Sequence, residues 1–167
     1  MDGDVTDTEA WKLDRIGAAR DGSNPTVLAK LPQAYAVIGD TQFLPGYCVL
    51  LVDDPDIDLL SDLPRGRRLE YLESMDVLGQ AVETACREVG TGFRRMNYEI
   101  LGNTDAYLHA HLFPRYAWEP QDRIGRPVWL YDPAEFYGPD AALAPRHDAL
   151  RSRIVTELAG LGVSPQD

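Results

Sequence analysis

Most apolar runs in this chain are separated by breaks too short to cross a sheet, and that limits its fold more than any other feature. Val27–Lys30 and Tyr35–Ile38 flank a Pro32-Gln33 turn. Gly39-Asp40 closes the second run, and Pro45-Gly46 marks the turn before Tyr47–Val52 (YCVLLV). Farther on, Asn97–Leu101 and Tyr107–Phe113 are split by Gly102-Asn103-Thr104-Asp105. Strands joined this closely pair antiparallel, because a parallel neighbour needs a crossover of roughly a dozen residues. YCVLLV is β-branched and nearly all apolar, as suits a central strand covered on both faces.

One long helix interrupts this series. From about Arg67 to Val89, Leu69, Leu72, Met75, Leu78, Val82 and Ala85 recur at helical spacing with charges between them, and Gly90 and Gly92 close it. The pattern predicts an α+β fold: about five antiparallel strands, one long helix, and helical flanks at both ends. In the N-terminal flank, Thr8 or Asp7 is placed to cap a helix carrying Trp11, Ile16 and Ala19, which Gly22 ends. In the C-terminal flank, Leu150, Ile154, Val155 and Leu158 form a stripe that Gly160 stops. The 167 residues suit one domain.

Sixteen basic residues against twenty-seven acidic ones leave a net charge of −11. Such a surface repels phosphate at long range and disfavours nucleic acid or an anionic membrane as an extended partner. A small anion in a local pocket is not excluded. Two clusters, Asp2/Asp4/Asp7/Glu9 and Asp53/Asp54/Asp56/Asp58/Asp62, read as solvated surface. Cys48 and Cys86 are too few for a disulfide framework and read as buried thiols. The acidic start MDGDVTDTEAW is unlike a signal peptide, and no apolar run reaches the ~18 residues of a membrane span. The expected setting is cytoplasmic.

Chemistry concentrates in the run Tyr107-Leu-His-Ala-His-Leu-Phe113. Side chains alternate on a strand, so Leu108, Ala110 and Leu112 share a core face, while Tyr107, His109, His111 and Phe113 share the other. Two imidazoles two residues apart lie roughly 7 Å apart along the strand and can divide the roles of nucleophile and hydrogen-bond donor. A pair of half-exposed polar residues is the plainer alternative. A His-x-His metal site is the chemical rival. It needs a third ligand, and no spacing singles out His147, Asp40 or Asp105.

The stretch resembles the signature of the histidine-triad (HIT) superfamily, in which three histidines alternate with apolar residues. Tyr107 stands at the first histidine position, His109 at the second and His111 at the third. A Gly102-Asn103 turn precedes the motif and Pro114-Arg115 follows it. The segment Tyr35–Val52, with its Pro45-Gly46 turn, looks like the family's nucleotide-facing hairpin, and the long helix falls where the family has its main helix. The resemblance spans roughly 27–116, leaving 1–26 and 117–167 as flanks.

The resemblance implies a nucleotide hydrolase or transferase that cleaves a dinucleoside polyphosphate such as diadenosine tetraphosphate, or another nucleotidyl conjugate. His109 would attack the α-phosphate and form a covalent nucleotidyl-histidine. His111 would donate to phosphate or leaving oxygen. Asn103 would bond phosphate or ribose, and Asp40 and Phe43 would approach ribose and base. Tyr107 would support His109 through its backbone carbonyl, and Arg115 would neutralise phosphate or else serve as an ion-pair partner. No cofactor is required, although Mg²⁺ can accompany a polyphosphate. The family's pattern implies a homodimer joined sheet edge to sheet edge. Tyr107 makes the triad incomplete, and Tyr47 replaces a histidine often found after Pro-Gly. A nucleotide-binding module with little catalysis and a His-x-His metallohydrolase are therefore the alternatives. The aromatic segment Arg126–Asp132 can fold over the pocket or a partner, with ordinary packing beneath a long loop the simpler reading.

Overall fold

The computed structural model describes residues 7–89 and 92–164. Its centre is a sheet of five strands in the order β1-β2-β3-β5-β4, every neighbouring pair antiparallel. The strands are β1 Val27–Leu31, β2 Ala34–Ile38, β3 Cys48–Val52, β4 Phe93–Glu99 and β5 His109–Tyr116. The short breaks thus act as expected, and the apolar YCVLLV run supplies the middle strand. At the β1–β2 turn, Pro32 is followed by Gln33 with φ 63°.

Two expected strands are displaced. β4 starts four residues before Asn97, because its leading Phe-Arg-Arg belongs to a solvent-facing edge where arginines are tolerated. β5 runs through Pro114 instead of ending there. The last β3 partner of β5 is Leu112, so at Pro114 the sheet has no β3 neighbour that needs an N–H.

Helix α1 covers Arg15–Asp21, α2 Arg65–Val89, α3 Pro133–Phe136 and α4 Asp148–Gly160. The α1 cap is Asp14, whose side chain accepts from Gly17 N, and Gly22 ends the helix at φ 83°. Asp7 and Thr8 are instead the first residues of a separate 3₁₀ helix, Asp7–Lys12, and their side chains lie outside the described residues, as does Gly90. In α2 the buried stripe is Tyr71, Leu78, Ala81, Val82, Ala85 and Cys86, whereas Leu69 is half exposed. The Tyr71 hydroxyl donates to Leu50 O at 2.9 Å, which lets a tyrosine occupy the core. α2 and α4 cover one face of the sheet, against Leu50, Ala110 and Leu112. Both cysteines are free and buried. No described helix is long and apolar enough to cross a membrane.

The stretch that follows β5, up to the aromatic segment, is fastened beside the other face by a buried ion pair. Arg115, only 3% exposed, donates twice to Glu119 through Nε and once through Nη2 at 2.7 Å. Its remaining donors reach Asn97 Oδ1 and the carbonyls of Arg126 and Arg123. Glu119 also accepts from Tyr116 N and the Tyr131 hydroxyl. Burial alone would raise the Glu119 carboxyl, but these donors hold it below its ordinary range. Every charge is matched in a fork geometry suited to guanidinium and carboxylate. Glu119→Ala strands a buried guanidinium and should cost about 3–5 kcal/mol, read as a lower midpoint in urea unfolding.

Candidate active site

The alternation of β5 sets up the site. Leu108, Ala110 and Leu112 enter the helix-covered core, and His109 and His111 face the other way. The two rings lean together, with centroids 4.9 Å apart and planes at 80°. Opposite them on the same face lie Leu51 and Val49 of β3, with Val37 of β2 beyond. These apolar side chains floor a cleft of about 410 Å³.

Hydrogen bonding assigns each imidazole a different free nitrogen. His109 Nδ1 lies 2.8 Å from Tyr107 O. A carbonyl only accepts, so Nδ1 carries a proton, and in the neutral ring it is Nε2 that holds the lone pair. His111 Nδ1 lies 2.7 Å from the Tyr47 hydroxyl. The Tyr47 hydroxyl, its phenol kept protonated by burial, has no other hydrogen-bond acceptor among the described residues, so it donates to Nδ1 and leaves His111 with Nε2–H. Burial, and then the neighbouring His109, depress His111 to about 4. It is a neutral donor throughout the physiological range.

Tyr47 is held by packing. Its ring stacks on Phe113 at 4.1 Å and 7°. A Cβ on Gly39 would fall 2.3 Å from the Tyr47 ring, so the glycine makes room for it. The C-terminal flank adds a wall. Trp129 meets His111 edge-on at 4.9 Å and donates from Nε1 to Glu99. Phe136 stacks beside Trp129 at 5.4 Å, and Tyr137 lies at the rim. Leu143 N bonds Asp40 O at 2.8 Å, and Thr41 bridges Ala142, which ties this wall to the loop between β2 and β3. The aromatic tail therefore folds over the pocket of its own chain instead of only packing beneath a loop.

Of the residues singled out in the sequence, His109, His111, Tyr107 and Asp40 come together at the cleft. Asp40 arrives already paired: Arg15 grips both its oxygens, at 3.1 and 2.6 Å. Three others do not line it. Asn103 sits exposed on the loop before β5 and does not line the cleft. Phe43 packs behind the wall, against Tyr131 at 5.1 Å and Phe136 at 4.6 Å. Arg115 is engaged by Glu119, the ion-pair partner that its alternative reading called for, and does not line the cleft. Sequence reasoning passed over Arg15 and Lys12, which line the cleft from the N-terminal flank. Nothing in their local pattern marks them, because only the fold brings that flank to β2.

Among the described residues, no group of three His, Cys, Asp or Glu side chains is arranged to hold a metal ion. His147, one of the candidate third ligands, lies outside this cleft and accepts from Ala144 N. Asp105 is at the cleft, on the exposed loop.

A sheet of this topology, with paired histidines on β5 facing a cleft, defines a class of fold that comparison with solved structures identifies. A histidine triad protein from Marinobacter aquaeolei VT8 superposes with a TM-score of 0.63 and 19% identity, over 86% of this chain and 95% of that one. One from Sinorhizobium meliloti 1021 gives 0.62 and 19%, over 83% and 93%. A protein from Sulfolobus tokodaii described as a hypothetical histidine triad nucleotide-binding protein gives 0.62 at 10% identity, over 87% and 91%. The chain has the histidine-triad fold. No family model matches it, and none of the curated proteins does.

The depressed His111 makes a prediction about stability. Between its ordinary value near 6.5 and about 4, the unfolded chain binds a proton that the folded chain refuses. Stability from this group is therefore complete above pH 6.5 and is lost as pH falls towards 4. His111→Gln should lose less stability than the wild type between pH 7 and pH 4.5, measured by urea midpoints.

Proposed function

We propose that this chain is a nucleotide phosphohydrolase of the histidine-triad type. It cleaves a dinucleoside polyphosphate, for example diadenosine tetraphosphate, or another nucleotidyl conjugate through a covalent intermediate on His109. The observation that carries this reading is the His109 Nδ1 to Tyr107 O hydrogen bond, which turns an unprotonated Nε2 to the cleft beside the His111 donor. A first-position tyrosine serves here because the contact is made by its backbone.

The nucleotide's base rests on Val37, Val49 and Leu51, and its ribose lies towards Asp40. His109 Nε2 attacks the α-phosphorus in line with the leaving oxygen, and the His111 Nε2–H stabilises charge that develops on oxygen. Mg²⁺ enters, where present, as part of a polyphosphate substrate. This reading includes a cytoplasmic homodimer joined through the exposed edge of β4. A nucleotide-binding module with little catalysis is the second reading. It is favoured by one observation, that Arg15 already occupies the Asp40 carboxylate.

His109→Ala should lower turnover of diadenosine tetraphosphate by at least about 1,000-fold while leaving the Kd for AMP within a few-fold. Rapid quench of the wild type, followed by mass spectrometry, should show adenylate on His109. AMP binding without turnover by the wild type would establish the binding module instead.

A further inference from the structure

Among the described residues, the Tyr47 hydroxyl has a single hydrogen-bond partner, His111 Nδ1. Its ring is buried against Phe113 and Phe136, and no second protein group among the described residues accepts its proton. The two histidines together thus expose one lone pair and one N–H. The other nitrogens are committed to Tyr107 O and to the Tyr47 hydroxyl. Around them, Arg15 holds Asp40 and Lys12 holds Glu9. Asp105 and Tyr137 sit at the exposed rim, and burial keeps the Tyr107 phenol protonated. None of these groups is a ready acid beside the reacting phosphorus.

We infer that Tyr47 is a specificity-determining positioning residue: by capping His111 Nδ1 it makes His111 a hydrogen-bond donor that does not give up its proton, and so confines the site to leaving groups that depart as stable anions. The inference rests on the hydrolase reading above. In the first step the P–N bond to His109 Nε2 forms and the P–O bond to the leaving group breaks. The electron pair departs on the leaving oxygen, while His109 keeps its Nδ1 proton. Transfer of the Nε2 proton from neutral His111 would leave an imidazolate, and the buried phenol does not replace that proton. Phosphate, polyphosphate and acidic phenols leave without one. Amines and alkoxides do not, so phosphoramidates and alkyl esters are excluded. In the second step water adds to phosphorus and the P–N bond breaks, returning its pair to Nε2. One water proton passes to solvent, and the other stays on the monoester until it titrates.

Long-range ¹H–¹⁵N correlation spectra of the apo protein at pH 7 test the capping directly, without turnover. His111 is expected as the Nε2–H tautomer and His109 as the Nδ1–H tautomer, with Tyr47→Phe abolishing the His111 preference. His111 found as the Nδ1–H tautomer or as imidazolium overturns the inference. Kinetics test its consequence, using AMP p-nitrophenyl ester, diadenosine tetraphosphate and an AMP N-alkyl phosphoramidate. The wild type should favour the aryl ester over the phosphoramidate by at least about 1,000-fold in kcat/KM. Tyr47→His, which places a group able to carry a proton against Nδ1, should shrink that ratio about tenfold or more. General damage would lower both substrates together and leave the ratio fixed. Comparable wild-type rates on both overturn the inference while upholding the hydrolase. Turnover of none of the three counts against the hydrolase, and the tautomers then decide Tyr47.

Discussion

The hydrogen bond from His109 Nδ1 to the Tyr107 carbonyl decides which nitrogen faces the cleft, and the surrounding groups are arranged around that choice. It is made by backbone, so it depends on where β5 begins and not on the side chain at 107. β5 is in turn held between β3 and β4, with His109 opposite Leu51 and His111 opposite Val49. A slip of one residue would turn both imidazoles into the helix-covered core. The burial of Leu108, Ala110 and Leu112 is what forbids that slip.

The flanks complete what the sheet begins. The hairpin and β5 supply a floor and two imidazoles but leave both sides open. Arg15 and Lys12 close one side, and Trp129, Phe136 and Tyr137 close the other. The aromatic wall stays in place through the Arg115–Glu119 pair below it and the Asp40–Leu143 and Thr41–Ala142 contacts beside it. An acidic protein can therefore present a small anion with a cleft whose local balance differs from its net charge of −11. The surface term acts over about a Debye length, whereas the cleft groups act at contact.

What could be read from the sequence was what local pattern encodes. Turn residues at 32–33, 45–46 and 102–105 announced antiparallel neighbours, and the alternation at 107–113 placed the imidazoles on one face. The strand ends at Phe93 and Tyr116 were not legible, because an arginine-bearing edge and an in-strand proline look like loop in isolation. At the site, Asp40 was found by its turn, but its partner Arg15 lies 25 residues away. Phe43 and Arg115 had the right chemistry for a ligand, yet each met a stronger protein partner first: an aromatic cluster for one, a carboxylate for the other. Asn103 shows the converse, a plausible turn residue that the loop leaves facing solvent.

The fit between Gly39 and the Tyr47 ring binds two positions that are eight residues apart in the chain. No side chain can be introduced at 39 while a six-membered ring lies where its first carbon must go. Exchange of that ring for a smaller one would open the space and make substitution at 39 permissible. The order of change is therefore constrained: 47 must alter before 39, and any residue then gained at 39 would obstruct the return of tyrosine. One steric contact would in this way act as a ratchet, holding whichever group faces His111 Nδ1 against reversal.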